Sequence, residues 1–255
     1  MRVSILQSDI TWENKSQNFR KYERMISQLD NPDIIILPEM FSTGFTANSE
    51  SQSEPARGET FDWMIHTAEK SSSGICGSYI VRVGDDYFNR WVFVSPSRRS
   101  WHYDKRHLFK MNNVENNFTP GEKRLVFKFR GLSICPNICY DLRFPVWSRN
   151  RNDYELLILS ANWPMARRDV WITLLKARAI ENLSFVAGAN RIGTDGAGIK
   201  YSGDSLIIGP KGEEIASAGK NSECSVTAVL SLTDLKEFRK KFPAHEDADN
   251  FTLNL

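Results

Sequence analysis

The stretch Leu132-Ser133-Ile134-Cys135-Pro136-Asn137-Ile138-Cys139-Tyr140-Asp141-Leu142-Arg143-Phe144-Pro145 carries the reading on which the rest depends. An apolar run of strand length ends at Cys139 and passes into a polar turn, and Pro145 marks a helix entry. A cysteine where a strand opens into a turn can be lifted clear of the core and set beside backbone N–H donors. That geometry suits a nucleophile. A lone cysteine also reads as a small buried hydrophobe, its commoner fate, so the rest of the chain has to decide between the two.

Working outward, residues 2–8 alternate as a strand, and Phe19, Tyr22, Ile26 and Leu29 step at helical spacing toward Asn31-Pro32. Ile34–Leu37 is a continuous apolar run, as expected of a strand covered on both faces. The segment 41–57 reads as a loop, and a helix follows through Phe61, Met64, Ile65 and Ala68 with Thr60 as its N-cap. Strands are expected at 75–82, 90–95, 99–103, 125–129 and 132–138. Between the third and fourth of these lies a long segment, Lys105 to Gly121, of the kind that carries function inside a compact domain. Beyond it the pattern predicts helices near 145–151, 170–182 and 232–242, and strands at 156–160, 185–190, 205–208 and 224–230. The turn Gly209–Gly212 reads as a hairpin, and the glycine-rich 193–198 as a turn before a strand.

Strand–helix alternation at both ends, with consecutive strands between them, predicts an α/β protein of two mixed sheets packed together, helices outside. No repeat, low-complexity tract or linker interrupts the chain, so 1–255 reads as one domain. In the polar tail 243–255, Phe251 and Leu253 would bury little on their own chain and are expected to dock on a partner subunit.

The 255 residues, 41% hydrophobic and 25% charged, are ordinary for a globular chain. A formal net charge of +2, with no long Lys/Arg block, leaves no nucleic-acid footprint. No apolar run approaches the ~20 residues that span a bilayer, so no membrane partner is expected. Met1 leads straight into Val3-Ser4-Ile5-Leu6 without a leader pattern. Four cysteines in a chain of this length suit free thiols in a reducing cytosol better than a disulfide framework. A cytoplasmic protein is expected. Phosphate-cradling and dinucleotide glycine motifs are absent, and no cofactor is implied.

Two other polar residues stand where Cys139 stands, just after an apolar or strand-like run: Glu39 after Ile34–Leu37, and Lys105 after Trp101-His102-Tyr103. Each could be a solvated surface charge. As a set they make chemical sense, since catalytic groups collect at strand ends in α/β folds. A free thiol, with a pKa near ~8.5, is only slightly ionised at neutral pH. A neighbouring carboxylate can take its proton, and a lysine held against that carboxylate can face an oxyanion, with the Tyr140 N–H as a second donor.

Leu37-Pro38-Glu39-Met40-Phe41, Tyr103-Asp104-Lys105-Arg106-His107-Leu108-Phe109 and Cys139–Pro145, in this order and spacing, resemble the three signatures of the carbon–nitrogen hydrolase (nitrilase) superfamily. Ala161-Asn162-Trp163-Pro164, Ala177–Asn182 and Gly193-Thr194-Asp195-Gly196 are most similar to its bacterial omega-amidase branch; Leu183, where the family often has glutamine, departs from it. The resemblance implies a four-layer α-β-β-α sandwich, a Glu39–Lys105–Cys139 triad, and a homodimer formed through helical faces. It also implies hydrolysis of the terminal amide of 2-oxoglutaramate or 2-oxosuccinamate. Glu115 matches the family's second glutamate, which positions the lysine or the substrate, unless it is a solvated loop carboxylate.

A charged 2-oxo acid needs a cation besides Lys105. Arg143 and Arg191 are candidates, although arginine after Asp-Leu could instead brace the turn or cap the next helix. Phe41, Phe45 and Trp163 either wall the pocket or are core aromatics, and Cys135 reads as core. Three rivals remain: a metal site on His102, His107, Cys135 and Cys139, whose spacings are loose; a non-catalytic protein on the same fold; and another carbon–nitrogen hydrolase, with specificity set by the 41–57 and 105–121 loops.

Overall fold

The computed structural model describes residues 1–112 and 114–253; Asn113 of the long loop, and Asn254 and Leu255 of the tail, lie outside the described residues. The first half contains β1 (Arg2–Gln7), α1 (Lys15–Ile26), β2 (Ile34–Ile36), α2 (Ser49–Gln52), β3 (Glu54–Pro55) and α3 (Glu59–Ser71), followed by β4 (Gly74–Val83), β5 (Asp86–Val94) and β6 (Ser100–Asp104). The second half contains β7 (Phe127–Phe129), β8 (Leu132–Ile138), α4 (Pro145–Ser148), β9 (Leu156–Ala161), α5 (Arg168–Asn182) and β10 (Phe185–Asn190). It continues through β11 (Ile192–Thr194), β12 (Lys200–Ser202), β13 (Leu206–Ile208), β14 (Glu214–Ser217), β15 (Cys224–Val229) and α6 (Leu232–Lys241).

Among the described residues, β15-β1-β2-β4-β5-β6 form one sheet with β3 attached to β4, and β14-β13-β10-β9-β8-β7 form a second. Both are mixed: β1, β2 and β4 run parallel, as do β8, β9 and β10, while β15 on β1, β5 on β4, β13 on β10 and β7 on β8 are antiparallel. Strand alternation sends Ile34, Ile36, Val3 and Ile5 inward, against Ile134, Ile138, Leu156 and Ile158 of the other sheet. The intervening residues face out. Ile35, Leu37 and Leu6 pack under α1 and α3 with Phe19, Tyr22 and Met64. Leu157, Leu159 and Val186 pack under α5 with Trp171, Leu175 and Ala179. The expected α-β-β-α sandwich is therefore present.

Local chemistry explains several boundaries. The N-cap of α3 is Gly58, with no side-chain cap of its own, so Thr60 does not cap this helix. The Glu54 carboxylate does so from β3, accepting from the Thr60 N–H at 2.7 Å and from its hydroxyl, and pairing with Lys15 at 2.7 Å. The α5 helix lies close on β10 because Gly188 leaves room: a Cβ there would stand 2.8 Å from Leu175 and 2.9 Å from Trp171. The tail departs from the sequence reading on one point, the expectation that Phe251 and Leu253 would bury little on their own chain. Phe251 lies beneath Arg151, 4.8 Å from ring centroid to guanidinium, and Leu253 packs against the inter-sheet core. Both find cover on their own chain.

Candidate active site

The C-terminal ends of β2, β8 and β9 converge at one edge of the sandwich, and polar bonds tie the two sheets together there. Ser160 Oγ donates to the Leu37 carbonyl at 2.7 Å, and Asn162 Nδ2 donates to the Glu39 carbonyl at 2.7 Å. Glu39 follows β2, Cys139 follows β8, and Lys105 follows β6, so three strand ends deliver the three groups to one point.

Cys139 opens a single 3₁₀ turn, Cys139–Arg143, and has φ of 43°. A left-handed conformation at a residue with a Cβ costs about 1–2 kcal/mol, and the surroundings hold it. The fully buried Asp141 accepts from the Ile138 N–H at 3.0 Å and the Tyr103 hydroxyl at 2.7 Å through one oxygen. Its other oxygen bonds the His107 N–H at 2.9 Å and His107 Nδ1 at 2.8 Å. One carboxylate thus fastens the cysteine turn to the Lys105 segment. From the other side, Arg178 of α5 donates to the Leu142 carbonyl at 2.5 Å. The result leaves Cys139 partly exposed at the floor of a cavity of about 570 Å³.

Glu39, Lys105 and Glu115 are buried together. Lys105 Nζ donates to Glu39 Oε1 at 2.9 Å and to both Glu115 oxygens at 2.9 and 3.0 Å. Glu39 Oε2 accepts the Asn162 N–H at 2.9 Å, and Glu115 Oε2 accepts the Phe109 N–H at 2.6 Å. Burial alone would strip the proton from Lys105, but the charges of Glu115 and Glu39 outweigh it and hold the ammonium above its ordinary pKa. Burial, with the negative charge of Glu39, pushes the Glu115 carboxyl up against the opposite pull of Lys105. Burial first, then the charge of Glu39, pushes the Cys139 thiol well up; the thiol is hydrogen-bonded to Glu39 and lies 3.8 Å from the Asn162 carbonyl oxygen. The surroundings thus favour the protonated thiol, held against the Glu39 carboxyl group.

Of the residues singled out in the sequence, Glu39, Lys105, Glu115 and Cys139 come together, and Tyr140, Arg143, Phe45 and Trp163 line the cavity above them. Phe45 sets its ring 5.3 Å from Lys105 Nζ, and Arg143 lies over Trp163 at 5.1 Å. Arg143 does not brace the turn; Arg178 does. Phe41 is not a cavity wall. It is fully buried beneath the first sheet, packed with Phe19, Tyr22 and Trp63, because the tight turn after Glu39 directs it outward. Arg191 is also withdrawn, fully buried with Nη2 on Asp9 at 2.9 Å and on the Ile10 carbonyl at 3.1 Å. His107 is committed to Asp141 and stacks on Phe144 at 3.8 Å, and Cys135 is core.

Sequence reasoning missed three contributors. Asn89 of β5 donates to Glu39 Oε1 at 2.8 Å and to Glu115 Oε1 at 3.3 Å, linking both carboxylates. Arg167 and Lys200 line the cavity from the segments after Trp163 and after Asp195. The Asn-Trp-Pro and glycine-rich motifs flagged both segments, yet only tertiary structure turns them toward the thiol.

A thiol, a carboxylate and an ammonium set at strand ends around one cavity suit attack on a carbonyl-type carbon bonded to nitrogen. The carbon–nitrogen hydrolase family matches residues 2–240, and the chain belongs to that family of hydrolases acting on C–N bonds. It is 42% identical to the omega-amidase YafV of Escherichia coli (strain K12) over 253 residues, covering 99% of this chain and 98% of that protein. It is 34% identical to the 2-oxoglutaramate amidase of Bacillus subtilis (strain 168), covering 96% of each. Among solved structures it matches XC1258 from Xanthomonas campestris, a CN-hydrolase superfamily protein with an arsenic adduct in its active site. That match has a TM-score of 0.97 at 38% identity and covers 100% of this chain and 99% of that one.

Proposed function

We propose that this chain is an omega-amidase, hydrolysing the terminal amide of a 2-oxo dicarboxylic acid monoamide, 2-oxoglutaramate or 2-oxosuccinamate, to the acid and ammonia. The observation that carries the reading is a cavity with Cys139 and Lys105 at its floor, the lysine held from behind by Glu39 and Glu115, and with Arg143 on its wall. A substrate with an amide at one end and a carboxylate at the other matches that polarity. Full-length likeness to the Escherichia coli omega-amidase supports it.

In this reading Cys139 Sγ attacks the amide carbon while its proton passes to Glu39. Two Lys105 protons are taken by Glu39 and Glu115, and the third faces the oxyanion with the Tyr140 N–H. Collapse breaks the C–N bond, and Glu39 returns the proton to the leaving nitrogen, which departs as ammonia. Water then attacks the thioester with Glu39 as base, and the acid leaves as the thiol is restored. Glu115 and Asn89 hold Lys105 and Glu39 in register, and Phe45 shields the ammonium from water.

The finer expectations belong to the same proposal: a cytoplasmic enzyme acting as a homodimer. Ile180 of α5 is 51% exposed and Phe242 is 56% exposed, apolar side chains that a second copy would cover. Among the described residues no helix is long and apolar enough to cross a membrane. The deciding experiment is ammonia release across 2-oxoglutaramate, glutamine, a carbamoyl-amino acid and a simple nitrile. Preference for the 2-oxo amide is expected; a preference for any of the others replaces the substrate assignment with that class.

A further inference from the structure

We propose that Arg167 is a specificity-determining residue: with Arg143 it brackets the 2-oxo-carboxylate end of the substrate and rejects amides that carry an ammonium at that carbon. The inference rests on the omega-amidase reading and sharpens it.

Both guanidiniums face the cavity that holds Cys139, and each is laid on an aromatic ring, Arg143 over Trp163 at 5.1 Å and Arg167 over Phe109 at 5.2 Å. Trp163 organises the two together. Its ring carries Arg143, while its indole N–H donates to the Arg167 carbonyl at 2.9 Å and fixes where that backbone sits. The Arg167 N–H closes the turn onto the Pro164 carbonyl at 2.9 Å. Among the described residues, the side-chain contacts of these two arginines are with the aromatic rings, and neither makes a salt bridge or side-chain hydrogen bond.

Among the described residues, the one acidic side chain that lines the cavity is already engaged. Asp195 accepts from the Tyr201 hydroxyl at 2.7 Å and from the Ala197 and Ile199 N–H groups, both at 2.9 Å. Lys105 is compensated by two glutamates, whereas among the described residues Arg143 and Arg167 have no acidic partner. Stacking on a ring leaves the edge of a guanidinium, where its N–H donors lie, free to meet an acceptor. A 2-oxo acid presents acceptors only, the carboxylate and the adjacent carbonyl oxygen, and so satisfies two such edges at once. An α-amino acid amide presents an ammonium in place of that carbonyl, a group that repels a guanidinium and offers its N–H donors no acceptor.

The test is a ratio of kcat/KM values taken on one enzyme preparation, so that the fraction of folded protein cancels. The substrates are 2-oxoglutaramate, glutaramate (the same chain and carboxylate without the 2-oxo group) and glutamine. Arg167→Leu is expected to lower the 2-oxoglutaramate-to-glutaramate ratio at least ~10-fold, the scale of a lost charge-assisted hydrogen bond. Arg167→Glu is expected to raise glutamine relative to 2-oxoglutaramate by a similar factor. Arg143→Leu serves as the contrast, lowering all three substrates together, since each carries a carboxylate at that end. Ratios in the Arg167 variants that move less than ~10-fold, while the unaltered enzyme prefers 2-oxoglutaramate, overturn the inference and leave the enzyme's assignment standing. An unaltered enzyme with no preference for 2-oxoglutaramate removes the assignment itself, and the inference with it.

Discussion

Cys139 sits in a left-handed conformation, with its thiol pushed well up by burial and by Glu39. Such a sulfur is a poor nucleophile until its proton leaves, so the proposed mechanism rests on the carboxylate beside it and not on a standing thiolate. Cys139→Ala is expected to remove ammonia release to background while the melting temperature stays within a few degrees, because one small side chain at the cavity floor is lost and no buried charge is left bare. Asn89 acts one step further out. Its amide spans Glu39 and Glu115 without lining the cavity, so Asn89→Leu should lower kcat about 10-fold with KM unchanged, the pattern of a displaced base rather than a lost substrate contact. Steady-state kinetics on one 2-oxo amide separate the two.

At the scale of elements, the site depends on how a turn is fastened. The 3₁₀ turn after β8 is too short to hold its own geometry, and the Asp141 carboxylate supplies what it lacks by bonding β8, Tyr103 and the Lys105 segment at once. Asp141→Ala would leave those buried donors without an acceptor. A loss of about 3–5 kcal/mol in chemical denaturation is expected, with turnover falling further than the residual fold explains. The same logic accounts for Glu54 at α3: a carboxylate from a two-residue strand caps a helix whose own N-cap position holds glycine. The hydroxyl at Thr60 suggested a cap from sequence, but the residue stands inside the helix, where its N–H is a donor awaiting one.

For the whole molecule, the buried thiols make a joint statement about pH. Burial pushes Cys135 up to about 12 and raises Cys76 and Cys139 as well. The native state thus holds these protons more tightly than the unfolded chain, so their contribution is complete below the ordinary thiol pKa of ~8.5 and is lost as pH climbs from there toward the folded values. The melting temperature should therefore be level through neutral pH and fall progressively above it; a flat profile into strong alkali would contradict the burial. Subunit pairing is tested at the same scale. Ile180→Asp places a charge on the exposed face of α5, and sedimentation should show the proposed dimer shifting to monomer, while an unchanged mass would move the interface elsewhere.

Much of the site was legible from the chain alone. Glu39, Lys105 and Cys139 each follow an apolar run, and period-two and helical spacing are local signals that one sequence displays in full. The sandwich followed from the same periodicities together with family likeness, since inward Ile34 and Ile36 and outward Ile35 and Leu37 require cover on both faces of the sheet. What sequence could not decide was which way side chains near those strand ends turn. Phe41, two residues from Glu39, goes to the helix-covered layer; Arg191 is consumed by Asp9; Arg167, far along the chain, swings into the cavity. Those outcomes depend on contacts between separate elements, from Phe41 on Phe19 and Trp63 and Arg167 on Phe109 to Arg191 on Asp9, 182 residues away. Local pattern determined which groups stand at strand ends, and long-range packing and hydrogen bonding decided which of them share one cavity.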